Sequence, residues 1–395
     1  MDRQLEKQLI VEFGKRFGRP PAAVAYAPGR VEVLGNHTDY NEGFVLSAAI
    51  NFGTFFAAAP AAGDACRLVA GDLMEEVTFP VAAPEPSPSS SWANYVKGVF
   101  AKLAATGRVR SGFHGMFLGN VPLGAGLSSS AALEITSGLA LCALYGIRLP
   151  KLKLARIGQA AEHEYAGVKC GLLDQITSLF GRKDALVLTD FRSLKTETVP
   201  LGRDACFLIC NTRARHSLVD SEYNERRTRC EEASRFFAGA LPHPVSHLRD
   251  VSMAEWRELS PRMDPVAARR AAHVIGEDER VLQGRECLDR RDLRGFGRLM
   301  FESHESSRRN FENSCPELDV LVGAAREIPE VLGARLSGGG FGGSAVVLIH
   351  PGDAESVGRR LQAAYEAALG HPCEVMTIQP SPGARVIRRV GGIRR

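Results

Sequence analysis

The segment Pro122-Leu-Gly-Ala-Gly-Leu-Ser-Ser-Ser-Ala-Ala132 runs a glycine-rich turn through three consecutive serines into a long apolar stretch. Gly124 and Gly126 permit positive φ and close approach of the backbone to a ligand. A helix expected to start near Ser129 and to run through Leu133, Ile135 and Leu139 offers unpaired N–H groups and a positive dipole end to an anion. The hydroxyls of Ser128, Ser129 and Ser130 can bond phosphate oxygens or a magnesium ion. No GxxxxGK[ST] occurs, so this is not a Walker A loop. Taken alone, the run also describes a serine-capped core helix after a glycine turn, and its meaning depends on the rest of the chain.

At 395 residues the chain exceeds the size at which single cores usually stop growing, so two domains are expected. A content of 45% hydrophobic and 24% charged residues is that of a globular enzyme. The formal charge of +4 is spread over interspersed acids and bases, which leaves no nucleic-acid footprint. Only the tail is locally basic, through Arg385, Arg388, Arg389, Arg394 and Arg395, and it reads as a solvated terminus. Nine cysteines without a CxxC pair suit a reduced, cytoplasmic protein, and Cys206 and Cys210 flank an apolar strand rather than a metal knuckle. Leu5, Leu9, Phe13 and Phe17 mark an amphipathic first helix, not a signal peptide. The apolar stretch Ile135–Ile147 is interrupted by Ser137 and Gly138 and is too short to span a bilayer.

Strands are expected at Val31–Leu34, Val45–Ile50, His114–Leu118, Asp184–Asp190, Ala205–Cys210, Ala345–His350 and Glu374–Gln379. Helices are expected at Trp92–Leu103, from Pro150 to about Ala166, from Ser221 to Phe237, at three or four places before Pro329, and at Ala354–Leu369. Strands and helices that do not alternate strictly argue for an α+β protein with two layered domains rather than one doubly wound sheet. The polar stretch Ser193–Arg203 places the division near residue 200, giving 1–200 and 201–395.

Three further segments carry chemistry. In Pro28-Gly-Arg-Val-Glu-Val-Leu-Gly-Asn-His-Thr-Asp-Tyr-Asn-Glu-Gly43, five polar groups (Arg30, Glu32, Asn36, His37, Asp39) stand where an apolar strand enters a turn. Such a density of donors and acceptors suits a polyhydroxyl ligand. His37 and Asp39 lack an evident third partner for a metal site. In Leu336-Ser-Gly-Gly-Gly-Phe-Gly-Gly-Ser344, GxGxxG occurs at Gly338, Gly340 and Gly343, but a strand follows it instead of a helix, which argues against a dinucleotide fold. This loop either closes a turn between strands or packs against the nucleotide or the first loop. In Ala161–Gln175, Glu162 lies near a helix end and Asp174 sits in an apolar setting where a carboxylate needs a partner such as Arg30.

These segments, in this order, resemble the galactokinases of the GHMP small-molecule kinase family. GRVEVLGNHTDYNEGFVL resembles their sugar signature, PLGAGLSSSAALE their ATP-binding motif and LSGGGFGGSAVV the third family motif. WANYVKGV, CGLLDQITSLFG and RHSLVDSEYNERR are also similar to galactokinase segments. The resemblance implies a two-domain GHMP kinase fold: an N-terminal domain with a mixed sheet, a ferredoxin-like C-terminal domain, and the site in the cleft between them. It implies ATP and Mg2+ as cofactors and phosphorylation of the anomeric hydroxyl of galactose. Asp174 would be the catalytic carboxylate with Arg30 beside it. Ser130 and Glu162 would hold magnesium, and Gly124, Ala125, Gly126, Leu127, Ser128 and Ser129 would surround the nucleotide. Trp92 would lie near the adenine, and Glu32, Asn36, His37, Asp39 and Tyr223 on the sugar. A small sugar is the expected partner of a monomer or weak oligomer, with neither nucleic acid nor membrane.

One departure stands out. The usual signature has Asn where this chain has Glu32 and Glu where it has Asn36. The Glu of the family accepts bonds from outer sugar hydroxyls, notably at C6, whereas a neutral Asn tolerates a carboxylate there. Galactose remains the expected substrate if Glu32 compensates. Galacturonate, glucuronate or N-acetylgalactosamine are the alternatives, as is a non-catalytic sugar sensor on the same fold. Mevalonate and homoserine kinases share that fold, but the NHTDYNEG turn speaks for a sugar.

Overall fold

The computed structural model describes residues 2–109, 111–122, 124–215 and 219–389. Leu123 of the serine segment, His216, Ser217 and Leu218 of the RHSLVDSEYNERR segment, and Arg394 and Arg395 of the tail lie outside them. In chain order the first half contains α1 (Arg3–Phe17), β1 (Ala23–Leu34), β2 (Phe44–Pro60), β3 (Ala65–Ala70), β4 (Glu75–Pro80), α2 (Ser91–Ala104), β5 (Phe113–Gly119), α3 (Ser129–Tyr145), α4 (Lys151–Ala161), α5 (Leu173–Phe180), β6 (Ala185–Asp190) and β7 (Lys195–Pro200). The second half contains β8 (Cys206–Arg215), α6 (Val219–Ala240), α7 (Met253–Leu259), α8 (Pro265–Asp289), α9 (Leu293–Ser306), α10 (Pro316–Arg326), β9 (Val331–Ser337), β10 (Gly342–Ile349), α11 (Ala354–Leu369), β11 (Glu374–Ile378) and β12 (Arg385–Arg389).

The first sheet runs β12-β1-β2-β5-β3-β4, with β6 on the early part of β2 and β7 beyond it. Among the described residues only β3 and β5 pair in parallel, so the sheet is mixed. One face carries α1, whose Leu9 and Phe13 pack on Tyr26, Phe55 and Met116. The other carries α2, α3 and α4 through Phe56, Phe100, Phe113 and Leu141. The second sheet is antiparallel in the order β11-β8-β10-β9. It follows a β-α-β-β-α-β path of the ferredoxin-like kind, with the first crossover enlarged into α6–α10.

The two sheets share a core. Val31, Val33 and Leu46 of the first, Phe207, Ile209, Val346 and Leu348 of the second, Val281 of α8 and Phe296 of α9 form one buried cluster, together with Ala125 and Leu127 of the serine loop. The chain leaves the first sheet after β7, close to residue 200, but β12 returns and pairs with β1. The last strand therefore belongs to the first sheet and not to the 201–395 half.

Several differences from the expected elements have local causes. Strand β1 starts at Ala23, well ahead of the expected Val31, and carries Pro28-Gly29 in a register shift between Pro28 and Arg30. The polar Lys195–Pro200, expected as a linker, is an edge strand, where charged side chains face water. The helix after Pro150 stops being α at Ala161 and makes one π turn over Glu162–Ala166, closed by Gly167 at φ 78°. All nine cysteines are free, with Cys206 and Cys210 buried on β8. Among the described residues no helix is long and apolar enough to cross a membrane.

Helix α9 lies against β9 at van der Waals contact because both carry glycine at the crossing. A Cβ on Gly297 would stand 1.9 Å from the Leu332 carbonyl oxygen, and one on Gly333 would stand 2.3 Å from that of Gly297. Gly297→Ala is expected to cost about 1–3 kcal/mol through forced separation of helix and strand. Urea unfolding checks this, and an unchanged midpoint contradicts it.

Candidate active site

A cleft of about 280 Å³ opens between the halves, lined by Arg30, Glu32, Asn36, His37, Asp39, Asp174 and Tyr223, among others. Its floor is the second half of β1, where alternation sends Val31 and Val33 into the core and Arg30 and Glu32 to the cleft. Arg30 is 8% exposed and joins three elements. Its Nε and Nη2 both lie 2.7 Å from Asp174 Oδ1, its Nη1 donates to the Gly126 carbonyl at 2.6 Å, and its backbone N–H donates to Leu127 O at 3.1 Å.

Asp174 stands in the first turn of α5, and α5 is tied to the β1 bulge by Ser178 Oγ, which donates to Pro28 O at 2.7 Å. The second oxygen of Asp174 accepts the Ser128 hydroxyl. Ser128 is therefore turned to the carboxylate. The backbone there is left-handed at Gly124, Gly126 and Ser128, with φ of 73°, 71° and 58°. Ala125 and Leu127 are 1% exposed and peg the loop into the shared core, so only their backbone is available to a ligand. Ser344 of the third glycine segment donates to Ala125 O at 2.7 Å. With its carbonyls held from behind by Arg30 and Ser344, the loop leads into α3, whose first N–H groups face outward with Ser129 and Ser130 half-exposed.

Beside α3 lies a carboxylate group without a cation. Glu162, at the start of the π turn, accepts from Ser130 Oγ at 3.2 Å, Cys170 Sγ at 3.1 Å and Gln175 Nε2 at 3.1 Å. Gln175 Nε2 also donates to Glu134 at 2.9 Å. Burial pushes both carboxyls above their ordinary range, with Asp174 adding repulsion at Glu162 and Glu162 at Glu134. No Lys or Arg pairs with either among the described residues. A hydroxyl and a carboxylate short of positive charge are the oxygen donors a hard divalent cation takes. Three or more acidic, His or Cys ligands do not converge among the described residues, so such an ion would rely on phosphate and water for its remaining positions.

The sugar-signature residues divide into free and engaged groups. Burial lowers the His37 imidazole to about 4, so it is neutral. Its Nε2 lies 3.0 Å from Gly339 O, which can only accept, and its Nδ1 lies 2.9 Å from the Tyr40 hydroxyl. Nε2 is therefore the protonated nitrogen, and both nitrogens are committed within the protein. His37 lines the cleft as a ring, packed 4.5 Å from Phe311 and 5.2 Å from Tyr223 between centroids. Asn36 is wholly buried and bonded to protein on all sides. Asp39 is half-buried and faces Gly171, where an added Cβ would meet Asp39 Oδ2 at 1.7 Å. Trp92 is not brought to the cleft; its indole donates to Glu75 at 2.5 Å and tilts on Phe117.

Sequence reasoning missed Lys169, Cys170 and Asn224 of the lining, and Arg335 behind it. Arg335 is fully buried on β9, with Nη1 3.0 Å from Glu32 Oε1. Its signal was present: it is the one charged residue in Val331–Ser337, a segment that otherwise reads as an apolar strand.

Comparison with known proteins gives three family matches. Residues 11–60 match the galactokinase galactose-binding signature, 94–182 the N-terminal domain of GHMP kinases, and 285–367 their C-terminal domain. The galactokinase of Lactococcus lactis, solved in complex with galactose, is 32% identical, covers 96% of this chain and 99% of its own, and superposes with a TM-score of 0.89. The mevalonate kinase of Methanococcus jannaschii shares the fold at 18% identity, 92% and 99% coverage and a TM-score of 0.64. The homoserine kinase of Cytophaga hutchinsonii does so at 16%, 92% and 97% coverage, and 0.62.

The cleft also makes stability depend on pH. Burial, with the charges of Glu32 and Asp174, raises the Asp39 carboxyl from 3.8 to about 7, against the Tyr40 N–H and Arg30. Between those values the folded chain holds a proton that the unfolded chain releases, so this group's contribution is full below 3.8 and is lost as pH rises toward about 7. Relative to Asp39→Asn, the wild type is expected to melt at progressively lower temperature across that interval. Calorimetric scans against pH test this, and a constant difference contradicts the placement.

Proposed function

This chain belongs to the galactokinase family of GHMP kinases, and from that premise we propose that it transfers the γ-phosphoryl group of ATP to the C1 hydroxyl of galactose, giving α-D-galactose 1-phosphate and ADP. The observation that carries the reading is the place of Asp174. It stands where the sugar cleft meets the serine loop, with one oxygen on Arg30 and the other on Ser128. A C1 hydroxyl at Asp174 lies beside the N-terminus of α3, where the triphosphate of a nucleotide would be held by backbone N–H groups and Ser129.

Phosphoryl transfer asks for alignment and charge neutralisation more than for covalent chemistry. Arg30 fixes the carboxylate through two N–H groups and offsets its charge. Asp174 orients the C1 hydroxyl and accepts its proton as the C1 oxygen bonds to the γ-phosphorus, while the bond from that phosphorus to the bridging oxygen breaks and ADP leaves. Arg30 and the α3 dipole stabilise the charge that spreads over the transferring group. Magnesium, when bound, neutralises phosphate charge, and Ser130 and Glu162 would hold it. Asp39, with its carboxyl on the cleft wall, binds sugar hydroxyls; His37 and Tyr223 supply flat walls.

Asp174→Asn is expected to lower ADP release with galactose by about 100- to 10,000-fold while galactose binding remains measurable by calorimetry. Wild-type turnover in that variant contradicts the role. Glu162→Gln is expected to raise the magnesium concentration for half-maximal turnover by about 10-fold or more, read from a magnesium titration of ADP release. An unchanged titration contradicts the assignment of Glu162.

A further inference from the structure

Asn36 has no hydrogen-bonding capacity left for a ligand. Its amide nitrogen donates to Glu32 Oε1 at 2.8 Å and to Gly338 O at 2.7 Å, and its amide oxygen accepts from Asn313 Nδ2 at 2.9 Å and Ser307 Oγ at 3.4 Å. A primary amide has two donor hydrogens and two lone pairs, and all four are used. His37 is similarly committed through both nitrogens. Glu32 is not. Its Oε1 accepts from Asn36 and from the fully buried Arg335, but Oε2 has no hydrogen-bond partner among the described residues, and the side chain lines the cleft with 4% of its surface exposed.

Arg30 and Glu32 leave β1 on the same side, two residues apart. A strand advances about 3.3 Å per residue, so the two side chains start about 7 Å apart along the floor of the cleft. If Arg30 and Asp174 mark the anomeric end of the sugar, Glu32 stands about 7 Å along the floor from it, a separation that the exocyclic C6 hydroxyl, projecting from C5 outside the ring, can bridge.

Resting on the hexose kinase reading above, we propose that Glu32 is the specificity-determining residue of this site. Its Oε2 accepts a bond from the C6 hydroxyl of a neutral hexose and repels a C6 carboxylate, while Asn36 is a positioning residue that holds Oε1. The interchange of Glu and Asn relative to the usual signature then has a physical account. The two residues have traded places and bond each other, and the carboxylate faces the cleft from the strand. Arg335 compensates the charge of Glu32 from behind, so the cleft presents an oriented acceptor without an unpaired buried charge.

The test is binding of galactose, 6-deoxygalactose and galacturonate, read by calorimetry without nucleotide, to the wild type, Glu32→Asp and Glu32→Gln. ADP release and melting temperature are measured on the same samples. A hydrogen bond to a charged acceptor supports a wild-type preference for galactose over 6-deoxygalactose of about 10-fold or more, and galacturonate is expected to bind more weakly still. Glu32→Asp keeps a carboxylate for Arg335 but withdraws it from the sugar, and should bring the galactose to 6-deoxygalactose ratio within about threefold. Glu32→Gln removes the repulsion and should improve galacturonate relative to galactose by about 10-fold. An unchanged deoxy-sugar ratio in a folded Glu32→Asp protein overturns the proposal, as does wild-type binding of galacturonate as tight as that of galactose. If neither variant melts cooperatively, the wild-type panel decides alone. A wild type that binds galactose but releases no ADP defeats the kinase reading and leaves the Glu32 assignment standing on binding. A flat sugar panel in a protein that turns over galactose defeats only the Glu32 assignment.

Discussion

The Arg30 guanidinium is the constraint on which the site depends. One side chain holds the carboxylate of α5, the carbonyl of Gly126 in the serine loop and, through its own backbone N–H, the carbonyl of Leu127. Its planar fork allows this, since donors at fixed angles can satisfy two acceptors that the chain brings in from opposite sides. Three segments separated by up to 144 positions in sequence are thereby registered to one another within hydrogen-bond tolerance.

A buried polar layer joins the two halves around this point. Asn36 and Gly35 donate backbone N–H groups to Glu277 of α8, Ser337 of β9 bonds the backbone of Glu32, and Arg335 pairs with the Glu32 carboxylate. Burial pushes the Glu32 carboxyl up while Arg335 and the Asn36 amide hold it down. Glu277 sits well below the usual carboxylate range because Arg280 and the neighbouring positive groups outweigh its burial. Removing one partner of such a buried pair costs about 3–5 kcal/mol, so the layer is intolerant of partial change. That intolerance fits an interchange in which Glu32 and Asn36 differ from the usual pattern together, because either change alone would leave a donor or a charge uncompensated. The shared apolar core beneath it, from Val31 to Val346, keeps the halves from acting as independent bodies.

The glycine and serine segments, the amphipathic helices and the apolar strands were legible because each has a local cause: φ freedom, a dipole end, or a period of burial. The pairing of Arg30 with Asp174 was legible for a different reason, since a carboxylate in an apolar setting needs a cation and Arg30 stood in a suspect segment. Strands β3, β4, β7, β9 and β12 were missed or left as connections. Most are short or polar, β9 is interrupted by Arg335, and their stability comes from neighbours remote in sequence, as with β12 on β1. At the site, residue type predicted presence in the cleft but not availability. Asn36, His37 and Ser128 all line or adjoin it, yet their polar atoms are bonded to protein, because the folded arrangement decides which lone pairs remain.

Catalysis by this site requires the C1 hydroxyl of the sugar to meet Asp174 at the mouth of the serine loop. A crystal structure with galactose and a non-hydrolysable ATP analogue measures this directly. The C1 oxygen is expected within hydrogen-bond distance of Asp174, in line with the γ-phosphorus held at the start of α3. A sugar bound with C1 turned away from Asp174, or a triphosphate lying elsewhere than at the α3 terminus, would contradict it.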